Sequence, residues 1–259
     1  MLANPVLAEL VARHITEFGE RHKTSIEKIS LIRLLAKKNP YLFIARQVNT
    51  LSDLAQELAT ATLSSSEETM FGNTLEAIAI DICAVTYGGH KSAATGIDLE
   101  FMDGSCRYLI SIKSGPNWGN SSQVKRLKQD FARAVALIRQ NNPTVNVLAV
   151  NGCCYGSGST DYGTYRKVCG PSFWELISGD PDLYLRLVEP IRTAASNGFV
   201  TERAQLIERL AAELAESWTL LMGNLTGRLL LEGGVGRPKP VPTDCLVRRC
   251  SAPSTFLAE

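Results

Sequence analysis

Asp98 and Lys113 close the two ends of a pair of short strand-like runs, a spacing that can bring a carboxylate and an ammonium together. In Ile97-Asp98-Leu99-Glu100-Phe101, apolar and acidic residues alternate at period two, the pattern of a half-buried strand with Asp98 and Glu100 on one face. A polar turn at Asp103-Gly104 leads into Tyr108-Leu109-Ile110-Ser111-Ile112-Lys113, and the two runs read as a hairpin. Ser114-Gly115-Pro116-Asn117 then breaks the second strand, as Gly and Pro do. An exposed cross-strand ion pair would have the same spacing and contribute little. What favours a site is the cluster that follows: Asn117, Trp118, Asn120, Ser121, Ser122 and Gln123 are groups that hydrogen-bond or stack, directly beside the charges.

Asp98 followed by a second strand ending in Ser111-Ile112-Lys113 resembles the PD-(D/E)XK nuclease signature. The run from Ile112 to Gln123 resembles the PmeII-type family of type II restriction endonucleases. The likeness extends over Asn39–Phe43, Leu63–Gly72, Asn151–Gly156 and Phe173–Gly179, roughly residues 35–200 in all. This resemblance implies an α/β fold, a mixed central sheet flanked by helices, with a helical region before it and helices after it. It implies Mg²⁺-dependent, sequence-specific hydrolysis of phosphodiester bonds in double-stranded DNA by a cytoplasmic homodimer. In that scheme Asp98 is the central metal ligand and Lys113 positions or activates the attacking water. The Ile112 carbonyl completes the metal shell.

Ser111 stands where the signature has Asp or Glu. A neutral hydroxyl is a poor ligand for a hard cation, so a second carboxylate has to come from elsewhere. Glu76 is the first choice, on a helix preceding the hairpin, and Glu100 the second. Glu76 sits among Gly72, Asn73, Ala79 and Ile80 within a turn either way, where a carboxylate is costly without a cation. It also reads as an ordinary helix-edge glutamate. Candidate DNA contacts are Asn117, Trp118, Asn120, Ser122 and Gln123, which could equally brace the active site, together with Lys125 and Arg126. Three other readings stay open: a structure-selective or repair nuclease on the same fold, a DNA-binding module whose site has decayed at Ser111, and a helical interaction protein with incidental hairpin charges.

The elements that must position these residues follow from periodicity. Residues 5–36 read as two amphipathic helices, and a third over about 50–62 starts at Thr50 or Ser52 with Asp53 in its first turn. Ser64-Ser65-Ser66-Glu67-Glu68 predicts a new helix start, running to about Val85 with Phe71, Leu75, Ile78, Ala79 and Ile82 as its core stripe. A helix from about Ser121 to Gln140 carries Lys125, Arg126, Lys128, Arg133 and Arg139; such a run reads either as a solvated face or as a phosphate-contacting one. Asn120 and Gln123 fit a capping box at its start, a purely local role. Val145–Val150 is an apolar strand of interior type, giving a strand–helix–strand crossover. Helices are expected at Phe173–Ile177, at Asp182–Ala195 with a kink at Pro190, and over 200–222 with Leu206, Leu210, Leu214 and Trp218 in one stripe. The expected divisions are a helical region at 1–62, a catalytic core at 63–200, a C-terminal helix at 201–231 and a flexible tail at 232–259.

Composition restricts the partners little. The chain has 259 residues, is 45% hydrophobic and 20% charged, and has a net charge of +1, so any nucleic-acid surface must be local rather than global. Its seven cysteines lack the spacing of a zinc site, and the adjacent Cys153-Cys154 reads as a pair of buried structural thiols. His90, alone in a loop, is a weak candidate base. Glu9 and Arg13 interrupt the first apolar stretch, which makes it a poor signal peptide, and no run approaches the ~20 apolar residues of a membrane span.

Overall fold

The hairpin forms at the edge of a sheet. In the computed structural model, β1 (Leu99–Asp103) pairs antiparallel with β2 (Cys106–Lys113), with Leu99 opposite Ile110 and Phe101 opposite Tyr108. The structure describes residues 2–46, 48, 50–195 and 201–216. From β2 the chain crosses through α5 (Ser121–Asn141) to β3 (Asn146–Cys153), which lies parallel to β2 with Ser111 opposite Asn151 and Lys113 opposite Cys153. β5 (Arg166–Cys169) pairs parallel with β3, and β4 (Ser159–Asp161) closes the far edge antiparallel to β5. The order is β1-β2-β3-β5-β4. The run to Val150 thus falls in the central strand, β3, where apolar residues are needed because both faces are covered.

Helices cover both faces. α5 lays Leu127, Phe131 and Ala134 against Leu109, Val147 and Tyr165 on one side. On the other, Ile78, Ala79 and Ile82 of α4 (Leu51–Tyr87) share a core with Leu99, Ile110, Ile112, Phe173 and Trp174. Leu7, Leu10, Val11 and Ile15 of α1 (Asn4–Glu27) belong to this same core, so the first helical stripe buries with the sheet. Fully burying one such Leu, Ile or Phe contributes about 1.5–3 kcal/mol, enough for a few of them to fix a helix on a sheet face. This mixed sheet between helices is the α/β core expected from the sequence.

The chain divides into two compact units, Met1–Thr24 with Ser66–Phe199 and Ser25–Ser65 with Val200–Glu259. The first holds the sheet and the candidate site. The second has its own apolar cluster, with Ile26, Leu31, Leu58 and Leu63 meeting Leu206, Leu210 and Leu214 of the helix over 201–216. α2 (Leu31–Lys37) and α3 (Pro40–Ala45) also belong to this second unit. Trp218, the rest of the expected 201–231 helix and the 232–259 tail lie outside the described residues.

Two expected helix boundaries differ. α4 starts as expected, with the Thr50 hydroxyl accepting from Asp53 N at 3.0 Å, but it runs without a break through Ser64-Ser65-Ser66 to Tyr87. Three serines cost only about half a kcal/mol each relative to alanine, too little to stop a helix anchored by apolar clusters on both sides. Conversely, the helix expected over 182–195 is two, α7 (Leu183–Arg186) and α8 (Val188–Ala194), after α6 (Pro171–Ser178). The break at Leu187 puts Pro190 in the first turn of α8, where its missing N–H leaves no bond unmade, so no kink is required.

Candidate active site

The site lies at the end of β2, where the sheet's polar side chains leave the core. Asp98 immediately precedes β1 and is tied to the ladder by its N–H, which donates to the Ile110 carbonyl at 2.8 Å. Its Oδ2 accepts from Ile112 N at 2.7 Å and from the Ser111 hydroxyl at 3.3 Å. Lys113 Nζ stands 3.7 Å from the same oxygen. It donates to Ser111 Oγ at 3.1 Å and to the Ile112 carbonyl at 2.7 Å. Asp98, Ser111, Ile112 and Lys113 therefore form one hydrogen-bonded group, with Ser111 1% exposed and the two charged side chains half-buried at its mouth.

Glu76, on α4, lies near enough for the charges of Asp98 and Lys113 to act on it. Burial pushes its carboxyl above the usual range and the neighbouring Asp98 carboxylate adds to the rise, while Lys91 and Lys113 pull it back. Gly72, one turn earlier on the same helix face, fits close packing here: a Cβ there would sit 3.2 Å from Ser114 Cβ, a few tenths of an ångström tighter than ordinary contact. Glu100, the second choice, is committed elsewhere. It is buried, ion-paired to Arg107, within 3.4 Å of His90 Nε2 and hydrogen-bonded by Ser92. His90, two-thirds exposed, is Glu100's neighbour in an isolated β-bridge. Asp81 pairs with Arg13 and His14.

The loop after Lys113 is held against the loop after β3. A Cβ at Gly115 would meet the outer ring atoms of the exposed Tyr155 side chain, and Lys167 Nζ donates to the Pro116 carbonyl at 2.6 Å. Trp118 is half-buried. Its Nε1–H donates to Asn151 Oδ1 at 2.9 Å, and Lys113 Nζ lies 5.4 Å from the centre of its ring. Asn151 is not among the site residues expected from sequence. The available signal is its position, a polar residue directly after the apolar run Val145–Val150.

At the start of α5, Asn120 Oδ1 accepts from Gln123 N at 3.0 Å and Gln123 Oε1 from Asn120 N at 2.8 Å, the complete capping box. Each side chain keeps its NH₂ and one lone pair of its oxygen for another partner. Asn117, Ser122, Lys125 and Arg126 are exposed. Lys125, Arg126, Gln129 and Arg133 line an open depression with Thr95 and Ser122. The buried carboxylate of Asp130 lies 3.8 Å from Arg126 and 3.6 Å from Arg133 and offsets part of that charge.

Residues 6–198 match the sequence profile of the family described as type II restriction endonuclease EcoO109I. The chain belongs to that family. It is thus a type II restriction nuclease by descent, with DNA as the family's substrate. The PmeII-type subgroup suggested by residues 112–123 is not the one this match identifies. No curated protein matches the chain.

A divalent metal is what such an endonuclease ordinarily employs. Among the described residues no three His, Cys, Asp or Glu side chains converge as a complete cage. The oxygens the site offers are the Asp98 and Glu76 carboxylates and the Ile112 carbonyl, which accepts from Lys113 Nζ. Burial and then the Asp98 charge raise the Glu76 pKa, a cost that a cation shared by the two carboxylates would relieve. A hard ion that keeps several waters needs no more protein ligands than these. The residues fit such an ion. None of the described histidines is part of this group.

Elsewhere in the core, burial pushes the Cys83, Cys153 and Cys154 thiols up to about 12, and all five described cysteines are free. This agrees with structural thiols at Cys153-Cys154.

No helix among the described residues is long and apolar enough to cross a membrane.

Proposed function

We propose that this protein is a Mg²⁺-dependent, sequence-specific endonuclease that cuts both strands of double-stranded DNA. The supporting observation is the single hydrogen-bonded group of Asp98, Ser111 and Lys113 at the end of β2, faced by Glu76. Asp98, Glu76 and the Ile112 carbonyl would hold the ion. When bound, it supplies positive charge to the phosphate oxygens and lowers the pKa of a water it binds. Lys113 holds its ammonium at the mouth of the site, where it can orient an attacking water and face the non-bridging oxygens. Ser111 takes no ligand role here; its hydroxyl spans Asp98 and Lys113 and fixes their separation.

Relocation of the second carboxylate from β2 to α4 keeps the acid count at two, which supports an active enzyme over a decayed binding module. Phosphate contacts fall to Lys125 and Arg126, and the exposed Asn117 and Ser122, with the free amides of Asn120 and Gln123, are the candidates for base edges. The residue pattern from Ile112 to Gln123 keeps the PmeII-type likeness as part of this reading. A two-fold homodimer follows from cutting both strands of a palindrome. The test is to incubate pure protein with phage DNA and Mg²⁺ and sequence the fragment ends. Defined ends at one short sequence support the reading, and fragmentation only of branched DNA would replace it with a structure-selective nuclease.

A further inference from the structure

We infer that Trp118 and Asn151 are positioning residues for Lys113, acting as one bracket that runs from the central strand to the lysine ammonium. Asn151 is wholly buried on β3, directly opposite Ser111 in the parallel ladder. Its side-chain amide uses both ends. Nδ2 donates to the Ser111 carbonyl at 3.1 Å, and Oδ1 accepts the Trp118 indole N–H at 2.9 Å. Rotating the amide by half a turn would set donor against donor and acceptor against acceptor, so its orientation is fixed by the two bonds together.

The indole so held presents its ring to Lys113 Nζ at 5.4 Å from the centroid, within range of a cation–π attraction. The ring also packs against the Leu109–Phe131 cluster, so it cannot follow the lysine. Ser111 Oγ and the Ile112 carbonyl take two of the ammonium protons. Lysine is a flexible four-carbon stem and loses its geometry without such walls. Asn151 touches both walls at once: the backbone that carries Ser111 and the indole that backs the ammonium. The Trp118 N–H is thereby unavailable to a base, which separates this role from a DNA contact.

The inference rests on the reading of Lys113 as the lysine of a nuclease site, so its test has one arm that needs no activity. In protein labelled at lysine, the ε-CH₂ resonance of Lys113 is assigned by its loss in Lys113→Met. The indole ring current is expected to displace it upfield in the wild type. Trp118→Leu returns it to the ordinary lysine position, and Asn151→Leu moves it the same way if it folds. Should Trp118→Leu leave it in place, the bracket does not exist. The second arm uses a duplex that the wild type cuts. Trp118→Leu is expected to lower the single-turnover rate by about 100-fold, the scale of a misplaced reacting group, with DNA affinity in EDTA unchanged. Trp118→Phe, which keeps a ring face and loses the N–H, recovers part of the rate. Lost affinity with an intact rate would instead make Trp118 a DNA-stacking residue and overturn the inference. If the wild type cuts nothing, the nuclease reading fails by itself and the resonance still decides the bracket.

Discussion

Lys113 Nζ and Asp98 Oδ2 lie 3.7 Å apart, and a single serine hydroxyl accepts from one and donates to the other. On the proposed reading, Ser111, at the position that carries an acid in the PD-(D/E)XK signature, serves as a spacer. Ser111→Ala removes two hydrogen bonds to charged groups but no charge, and Asp98 and Lys113 each keep a bond to the Ile112 backbone, so a drop of about tenfold in cleavage rate is expected, the scale of one such bond of about 1.5 kcal/mol. Glu76→Gln, if α4 supplies the second acid, costs far more, on the order of 10²–10³-fold, as for removal of a transition-state charge partner. Single-turnover cleavage of one duplex by both variants checks the ranking. The opposite order would return the second ligand to an unknown residue.

Glu76 also has a stability signature. Its folded pKa is raised, first by burial and then by Asp98, so folding favours the protonated form. The stabilisation from that proton is complete below the unfolded value near 4.5 and is lost as pH rises through the folded value. Without metal at neutral pH, Glu76→Gln should accordingly melt above the wild type, and the difference should shrink on acidification. Added Mg²⁺ should raise the wild-type melting temperature and leave that of Glu76→Gln nearly unchanged, since only a cation that binds the folded site stabilises it. Thermal melts at several pH values with EDTA or Mg²⁺ read this directly.

The α5 surface predicts a salt effect. Removing one phosphate-neutralising cation should reduce the slope of log K against log[salt] by about 0.9 on duplex DNA. Lys125→Ala combined with Arg126→Ala should thus flatten the slope by nearly twice that amount and weaken binding uniformly across sequences. Fluorescence anisotropy over a salt series measures it; a slope equal to that of the wild type would leave that face merely solvated.

The thiols offer a control on the core. With Cys153 and Cys154 pushed up to about 12, their thiolate fraction at pH 8 is on the order of a thousandfold below that of a free cysteine. Iodoacetamide should leave both unmodified in native protein and label them after unfolding, as read by mass spectrometry.

How much of this is legible in the sequence depends on the range of the interaction. The hairpin, the crossover through α5 and the capping box at Asn120 follow from local alternation and spacing, and the structure has them. The helix start expected at Ser64 fails because a local capping signal is outweighed by apolar residues on both sides, which local propensity does not weigh. Asn151 escapes for a related reason. Its two partners, Ser111 and Trp118, are distant in sequence and meet it only once β3 lies beside β2. Glu76 stands out because a carboxylate among small and apolar helix neighbours is a local anomaly, whereas the close packing of its helix, Gly72 against Ser114, is tertiary. Glu100 shares the strand pattern of Asp98, but its capture by Arg107 depends on the cross-strand register.

Cleavage itself is the decisive measurement. Pure protein is incubated with phage DNA and Mg²⁺, alongside Asp98→Ala and an EDTA control, and the products are run on a gel. A metal-dependent, site-specific nuclease gives discrete fragments in the wild type and none in either control. Intact DNA in all three lanes, over varied DNAs that the protein still binds, would overturn the nuclease reading and make Ser111 the mark of a site that no longer cuts.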